Sequence, residues 1–440
     1  MSKKMEVKAF KAFRYDSAEV GDAGECIAPP YDVIDASQQQ QLYEKNEYNI
    51  VRIIKGKAKP TDNSKDNVYT RAAEHLDEWI AKGVLKQDEV ETIYAYVQDF
   101  ELSGKQYQRL GFTALLKLEE FGDIVRPHEK ILNKPIVDRL NLKRATSARF
   151  GLVFMLYDDA DAIADKIITK AAAGDPLIDF VDEQGVRHRL FAITEKPDTD
   201  AIAKMMSDKS CIIADGHHRY TTGLAYMKEN PNPAARYQMT TFVNTHCLGL
   251  VVLATHRVVK NLEDFDMPKL LAGLRKNFQV SEYQFDSAAQ KIKARQKMLL
   301  QMKAEYDNDR TALGIYAGDN AFYAAVLKDN KAMDQAAPGM SQAWKSLDVS
   351  VLHKLILEQL LAIDDAKLAD GDFLEYAKDS GSKIDELIKQ VDSGARQAAF
   401  FMNPPKMEQI QKTADAGEKM PQKSTYFYPK LFTGLTINKL

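Results

Sequence analysis

The 440-residue sequence has few cysteines, no long apolar run and no surplus of charge of either sign. Its cysteines, Cys26, Cys211 and Cys247, form no CxxC pair, and their odd number gives no disulfide framework, which favours a reducing compartment. The longest apolar runs, such as 248–254, are far shorter than a membrane-spanning helix. The start of the sequence, MSKKMEVKAFKAFRY, also lacks the apolar stretch of a secretory signal peptide. These absences predict a cytoplasmic protein that does not span a membrane.

The balance of charge argues against a protein that binds nucleic acid mainly by neutralising phosphates. Lys and Arg number 60 against 63 Asp and Glu, which gives a net charge of −3, whereas such proteins usually carry a basic surplus. The sequence also contains no Walker-type phosphate loop, no GxGxxG, no GxSxG and no HExxH. With 45% hydrophobic residues, the chain is long enough for two or three domains with a large core.

Strand and helix signals are mixed without the regular alternation of βαβ units, so the predicted fold class is α+β with mixed sheets. Two runs, 92–101 and 106–119, are predicted to pair as antiparallel strands across a turn at Ser103-Gly104. The other predicted strands lie at 6–14, 48–54, 153–157, 187–194, 239–244, 248–253, 278–285, 314–317, 320–327 and 398–402. The predicted helices lie at 36–46 after an Asp35 cap, 68–82, 135–147, 161–173, 199–206, 261–277, 287–305, 349–361, 373–387 and 407–415.

The most informative segment is CIIADGHHRY, residues 211–220. A short apolar run, typical of a buried strand, ends in an Asp-Gly turn, and the following residues begin a helix. Backbone N–H groups and the helix dipole at such a junction favour an anion, the guanidinium suits a phosphate, and imidazoles add donors or proton carriers. This predicts a phosphate- or nucleotide-binding loop on a solvent-facing turn; the alternative is an Asp-Gly turn that carries exposed polar residues. The loop residues are Asp215, Gly216, His217, His218 and Arg219.

Four further clusters combine polar side chains with a constrained chain. In RPHEK, residues 126–130, Glu129 lies between a histidine and a lysine that could set the pKa of a general base. The tail, 417–430, is too aromatic for a disordered segment, so its YFY run at 426–428 is expected to pack. Each cluster also has a purely structural explanation. RPHEK would be a run of solvated charges, the residues after the two prolines an ordinary turn, His256 and Arg257 a strand end, and the tail a segment docked on the core. The candidate substrate-binding residues are Tyr31 and Asp32 after two prolines, Arg126, His128 and Lys130 around Glu129, His256 and Arg257 at a strand end, and Lys423, Ser424 and Thr425 in the tail.

Five ordered motifs, APPYDVI, RPHEK, ADGHHRY, THRVV and MPQKSTYFYPK, together resemble a widespread bacterial and archaeal family labelled as a domain of unknown function. That resemblance covers essentially the whole chain. The DGHHR element is also similar to the Asp-Gly-x-x-Arg phosphate loop of the fold shared by the chromosome-partition protein ParB, sulfiredoxin and archaeal free serine kinase. In that fold the loop precedes a helix and holds nucleotide phosphates.

The resemblance implies phosphoryl transfer that involves serine or phosphoserine, with ADP or ATP as the nucleotide and Mg²⁺ as a further candidate cofactor. Members of the family look associated with serine biosynthesis, so the reaction could also run as a phosphoserine phosphatase. The kinase uses a glutamate base, for which Glu129 is the candidate. Asp215 would cap the helix or hold Mg²⁺, and His217, His218 and Arg219 would neutralise the phosphoryl group.

Two other functions remain open from the sequence. One is a ParB-like protein that binds nucleotide or nucleic acid, and the other is a metal-dependent hydrolase with Asp215, His217 and His218 as ligands. After residue 256 helical spacing dominates. We therefore predict an α+β catalytic domain at 1–260 that carries the phosphate loop, and a helix-rich α+β domain at 261–440 with a docked C-terminal tail.

Overall fold

A computed structural model describes residues 4–129, 134–379 and 383–440. These residues form two compact units. Unit 1 comprises 4–127, 134–251 and 429–440, and unit 2 comprises 128–129, 252–379 and 383–428. The division into two domains at residues 1–260 and 261–440 stays a prediction.

Both units combine sheets with helices, which confirms the predicted α+β fold class. The strands are Val7–Lys8 (β1), Phe13–Tyr15 (β2), Leu85–Gln87 (β3), Ile93–Leu102 (β4), Lys105–Lys117 (β5), Val125–Pro127 (β6), Ala148–Arg149 (β7), Val153–Tyr157 (β8), Ile178–Val181 (β9), Arg187–Ile193 (β10), Cys211–Asp215 (β11), Tyr237–Asn244 (β12), Val251–Leu253 (β13), Thr255–Val259 (β14), Phe278–Gln284 (β15), Ala312–Tyr316 (β16), Ala321–Leu327 (β17), Leu374–Lys378 (β18), Ala398–Phe401 (β19), Tyr426–Tyr428 (β20) and Asn438–Lys439 (β21).

The helices follow the same order along the chain. The α-helices are Ser17–Val20 (α1), Ala36–Lys45 (α2), Val51–Ile54 (α3), Val68–Ala81 (α4), Lys134–Thr146 (α5), Ile163–Ala171 (α6), Lys196–Ser207 (α7), His217–Glu229 (α8), Met267–Asn277 (α9), Ala288–Asp307 (α10), Lys331–Ala336 (α11), Gln342–Lys345 (α12), Asp348–Val351 (α13), Asp365–Asp370 (α14), Lys383–Asp392 (α15) and Met407–Asp415 (α16). Short 3₁₀ helices occupy Ala23–Cys26 and Pro233–Arg236, and a π-helix occupies Leu352–Glu358.

The main sheet of unit 1 positions the predicted phosphate loop. Its strand order is β6-β11-β8-β12-β5-β4-β10-β9, with β1 also paired to β5. Strands β4 and β5 form the predicted hairpin, whose turn residues Ser103 and Gly104 both have positive φ (52° and 76°), as a tight two-residue turn requires. Strand β11 lies between β6 and β8 and is buried except at its last residue, Asp215. The apolar run of the motif is therefore core, and its polar residues begin where the strand ends.

Unit 2 contains a second sheet, with the order β15-β17-β16-β19-β14-β18. Helix α10 packs closely on β16 at Gly314. A Cβ added there would lie 2.6 Å from the sulfur of Met302 and 2.8 Å from that of Met298, which leaves no room for a side chain. The aromatic tail packs as expected in this unit, since Phe427 and Tyr428 are buried.

The strand predicted at 48–54 is wrong, because the segment forms the short helix α3. The buried side chain of Asn49 accepts a hydrogen bond from the Val51 N–H at 3.0 Å and donates to the Glu25 and Ile27 carbonyls. These contacts stabilise a helical turn and outweigh the strand preference of the β-branched residues.

The helix predicted at 373–387 is also wrong in its first half. Residues Leu374–Lys378 form β18, antiparallel to β14, and helix α15 spans Lys383–Asp392. Leu374 and Ala377 are buried in this strand. Pairing with β14 satisfies the backbone of the segment, so a tertiary contact overrides the local helical spacing.

Candidate functional site

The predicted phosphate loop is a strand–turn–helix junction in unit 1. Strand β11 ends at Asp215, Gly216 occupies the N-cap, and α8 begins at His217. Gly216 has the left-handed backbone angles φ 88° and ψ 27°. A Cβ there would lie 3.2 Å from the Arg219 guanidinium and 3.3 Å from the Val153 Cα, so glycine suits both the turn and the close packing.

The carboxylate of Asp215 is held by two cations. Its Oδ1 accepts a hydrogen bond from Lys430 Nζ at 2.8 Å, and its Oδ2 accepts one from Arg219 Nη2 at 2.8 Å. Burial by itself would raise the pKa of Asp215, but the charges of Lys430 and Arg219 outweigh it and hold the pKa below its usual value.

Two expectations for Asp215 are therefore corrected. It does not cap α8, because the helix has Gly216 as its N-cap and no side-chain capping bond. Its two oxygens also fit an Mg²⁺ site poorly, since a dication would have to displace Lys430 and Arg219.

The Arg219 side chain is largely buried, contrary to the expected solvent-facing position. Only 11% of its side chain is exposed, and its Nη1 donates to the Leu152 carbonyl while its Nη2 donates to Asp215. Burial opposes its charge, but Asp215, Asp32 and Tyr31 reverse the effect and raise the pKa of Arg219. The guanidinium is thus a fixed, permanently charged group at the first turn of α8.

Several predicted residues meet at this junction. Tyr31 and Asp32 interact electrostatically with Arg219, and the charge of His217 acts on Asp215. His218 lies in the same first turn of α8 and is half-buried.

A pocket of about 540 Å³, part of which is open to solvent, lies beside Arg219 in unit 1. Tyr31 lines it, and the guanidinium carbon of Arg139 lies 4.0 Å from the Tyr31 ring centroid. Sequence reasoning missed six polar lining residues: Arg139, Lys143, Arg149, Thr222, Gln238 and Thr433. The basic character of the helix predicted at 135–147 was a signal for Arg139 and Lys143, whereas the other four residues had none.

A second cluster lies in unit 2 around Glu129. Its Oε1 accepts hydrogen bonds from the Thr425 N–H at 2.9 Å and the Thr425 hydroxyl at 2.8 Å. The Nε2 of the buried His128 lies 2.7 Å from the same hydroxyl and 3.5 Å from Glu129 Oε1. Residues of the RPHEK and tail motifs are therefore in contact within unit 2. Lys130 lies outside the described residues.

Arg257 joins the tail in the same unit. It is fully buried, and its Nη2 donates to the Lys423 carbonyl at 3.0 Å. Burial lowers the pKa of Arg257 to about 10, while Tyr376 and Glu129 act in the opposite direction. Ser424 is buried and donates to the Pro421 carbonyl at 2.6 Å, so its hydroxyl supports a turn of the tail.

Two predicted residues have structural partners. His256 is buried in β14, where its Nδ1 accepts a hydrogen bond from the Met402 N–H at 3.1 Å. Arg126, in β6, donates to the Ser210 hydroxyl at 2.6 Å. Ser210 precedes β11, whereas the phosphate loop follows that strand, so this contact lies at the other end of β11.

Unit 2 also holds a polar pocket that the sequence did not indicate. Its lining includes Asp348, Arg257, Asn403 and Lys406. Burial raises the pKa of Asp348 to about 7, although Asn403 and the Thr311 hydroxyl bond its carboxyl and act in the opposite direction.

Replacing Asp348 by asparagine is expected to remove a pH dependence of stability. The folded protein holds the Asp348 proton up to about pH 7, whereas the unfolded chain releases it near pH 4. The free energy of unfolding should therefore fall as pH rises from about 4 to 7, and Asp348→Asn should be more stable at pH 8 by about 1–3 kcal/mol. Urea unfolding at pH 4.5, 6 and 8 measures this. Parallel curves for the two proteins would contradict the raised pKa.

Among residues 4–129, 134–379 and 383–440, no group of three or more His, Cys, Asp or Glu side chains has an arrangement that could hold a metal ion. No helix in this part of the chain is long and apolar enough to cross a membrane.

Comparisons with known proteins give a family and distant structural likenesses. No curated protein sequence matches the chain. A mutant of free serine kinase in complex with AMP is 12% identical, with a TM-score of 0.36 over 72% of this chain and 87% of that one. A conserved hypothetical protein from Pyrococcus furiosus is 16% identical, with a TM-score of 0.34 over 72% and 92%.

SbnI from Staphylococcus aureus, with a C-terminal truncation, is 10% identical, with a TM-score of 0.35 over 74% of this chain and 87% of that one. Likenesses this weak carry no argument about activity or ligands. A family model described as "Protein of unknown function (DUF1015)" matches residues 7–350, more than half of the sequence. The chain belongs to the DUF1015 family.

Proposed function

We propose that this protein transfers a phosphoryl group between serine and a nucleotide, or from phosphoserine to a nucleotide or water, at the α8 junction of unit 1. The observation that carries the proposal is the fixed guanidinium of Arg219. It is held by Asp215 and lies beside a glycine turn that opens a helix. Positive groups fixed in advance stabilise the charge of a transferring phosphoryl group without reorganising during the reaction.

The N-terminus of α8 supports the same proposal. Thirteen residues long, the helix begins without a side-chain cap, so its dipole and first-turn amides favour an anion at Gly216. His217 and His218 lie in that turn and could donate hydrogen bonds or carry a proton. Asp215 and Lys430 would position Arg219 and would not themselves touch the phosphoryl group.

Glu129 stays the predicted general base, which would accept the serine hydroxyl proton or return it. ADP or ATP is the proposed nucleotide. Mg²⁺, where it is needed, would be held chiefly by the nucleotide phosphates, since the Asp215 oxygens are engaged.

An assay of purified protein tests the proposal directly. Three reaction mixtures are compared: O-phosphoserine with ADP, L-serine with ATP and Mg²⁺, and O-phosphoserine alone. We expect turnover in at least one format, read by ³¹P NMR and by serine release. The control is Arg144→Gln, whose half-exposed guanidinium pairs with Glu229; it should keep wild-type activity. No turnover in any format, with folded protein, would contradict the proposal.

A further inference from the structure

Among the residues that the structure describes, two buried cations in unit 1 have only neutral hydrogen-bond partners. Lys143 on α5 is 7% exposed, and its Nζ donates to Gln238 Oε1 at 3.3 Å. Arg149 on β7 is 2% exposed and donates to the Asn438 side chain at 2.8 Å and to the Ala234 carbonyl at 3.0 Å. Both residues line the pocket beside Arg219.

The other two cations of the pocket are compensated. Arg139 pairs with Asp138, and Arg219 pairs with Asp215. Over the described residues, by contrast, no carboxylate pairs with Lys143 or Arg149. The residues outside that part, 1–3, 130–133 and 380–382, include no Asp or Glu that could supply one.

Uncompensated burial of cations is costly, because the charged form loses its hydration without gaining a counter-charge. Burial holds the pKa of Lys143 well below its usual value, and the nearby Arg149 lowers it further. Burial also lowers the pKa of Arg149 to about 10. Apolar or paired residues would be more stable here, so the two cations are better explained by a ligand than by folding.

Two buried polar atoms of residues that line this pocket lack a hydrogen-bond partner among the described residues. Thr222 on α8 is 2% exposed and lines the pocket, and within the described chain its hydroxyl has no hydrogen-bond partner. The Nε of Arg149 is likewise buried and unbonded among those residues. A buried donor without a partner costs free energy that a ligand oxygen would restore.

We propose that Lys143, Arg149 and Thr222 form an anion subsite that binds the carboxylate or phosphate group of a small organic metabolite. Apolar side chains, Ile54, Leu142 and Phe150, also line the pocket, and they favour an organic anion over inorganic phosphate. Arg219 of the phosphate loop also lines this pocket, so the choice of probes for the subsite rests on the proposed function.

Binding at this subsite should be coupled to a proton. An anion beside Lys143 favours the ammonium form, so a Lys143 amine that is neutral in the free protein takes up a proton on binding. The titratable groups that face Lys143 are Arg149 on β7 and Tyr226 on α8, whose ring centroid lies 5.7 Å from the Lys143 Nζ. Affinity should therefore fall as pH rises above the lowered pKa of Lys143.

Isothermal titration calorimetry on the full chain tests the subsite, with O-phosphoserine, L-serine, AMP, adenosine and inorganic phosphate as probes. We expect an organic anion to bind wild-type protein. At a pH above the lowered pKa of Lys143, buffers of different ionisation heat should reveal proton uptake. Lys143→Met should weaken that binding at least tenfold and abolish the uptake. Thr222→Val should weaken it several-fold, and Arg144→Gln, an exposed neighbour on α5, should leave it unchanged.

A stability measurement separates a ligand-binding lysine from a structural one. Without anion, Lys143→Met should raise Tm by about 2–4 °C, because it removes a buried amine that lacks a counter-charge. The proposal is overturned if no probe anion binds, if Lys143→Met and Thr222→Val bind as wild type does, or if Lys143→Met lowers Tm.

The proposed function can fail separately from the subsite. Proton-coupled anion binding that depends on Lys143, without turnover in any assay format, would retain the subsite and reject phosphoryl transfer. Turnover with an unchanged KM in Lys143→Met would retain the reaction and reject the subsite.

Discussion

Replacing Arg219 by alanine is expected to abolish phosphoryl transfer and to destabilise the protein. The guanidinium would supply charge stabilisation to the transferring group, and loss of such an arginine lowers kcat on the order of 10³-fold or more. It also bonds the Asp215 carboxylate and the Leu152 carbonyl in a largely buried position. Asp215 keeps Lys430 as a partner, so we expect a loss of about 3 kcal/mol in the free energy of unfolding.

The two effects of Arg219→Ala can be measured apart. Urea unfolding gives the stability, and turnover is then expressed per folded molecule from circular dichroism. Added guanidinium should restore part of the turnover, because it replaces the missing charge. Arg187→Ala is the matched control, since Arg187 forms a half-exposed pair with Asp179 in the same sheet; it should lose at most about 1 kcal/mol and no activity.

An Arg219→Ala protein that is folded and keeps turnover within tenfold of wild type would reject the assignment of Arg219 to the phosphoryl group. If Arg219→Ala is insoluble, Arg219→Lys tests the assignment in its place. That change keeps the charge but cannot make both hydrogen bonds of the guanidinium, so it should fold better and still lose most of kcat.

Replacing Glu129 by glutamine is expected to lower kcat on the order of 10²–10⁴-fold with little change in KM. A general base must accept a proton, which an amide cannot do. The amide oxygen can still accept the two hydrogen bonds from Thr425, so the contact with the tail should survive. Steady-state kinetics measures both constants.

A second glutamate provides the matched control for Glu129. Glu418 accepts hydrogen bonds from the Ser341 N–H at 2.7 Å and the Ser341 hydroxyl at 2.5 Å, much as Glu129 does from Thr425. Glu418→Gln should therefore keep wild-type kcat. If Glu129→Gln also keeps it, while Thr425→Val lowers the free energy of unfolding, Glu129 anchors the tail and is not the base.

Local features of the sequence determined the candidate loop. An apolar run, an Asp-Gly pair and helix-forming residues in succession predict a strand–turn–helix junction, and Gly216 adopts the left-handed backbone that this turn needs. The hairpin at Ser103-Gly104 is predictable for the same reason, since its turn residues are adjacent in the chain. The packing of the tail was predictable from composition, because the tail is too aromatic for a disordered segment.

Local patterns failed where a distant contact decided the conformation. The β-branched segment at α3 becomes helical because the Asn49 side chain bonds both its own turn and the Glu25 carbonyl. Strand β18 forms because β14 offers a backbone edge from more than a hundred residues earlier. Neither partner can be inferred from the spacing of apolar residues within the segment.

Only the tertiary structure decided the electrostatics of the site. Lys430, 215 positions from Asp215 in the sequence, meets its carboxylate and helps to keep it charged. Lys143, Arg149 and Thr222 come from a helix, a strand and another helix, and they line one pocket only after those elements pack. The sequence by itself determined which chemical groups are present and where the chain turns. Burial and distant partners set their charge, because desolvation and counter-charges depend on the fold.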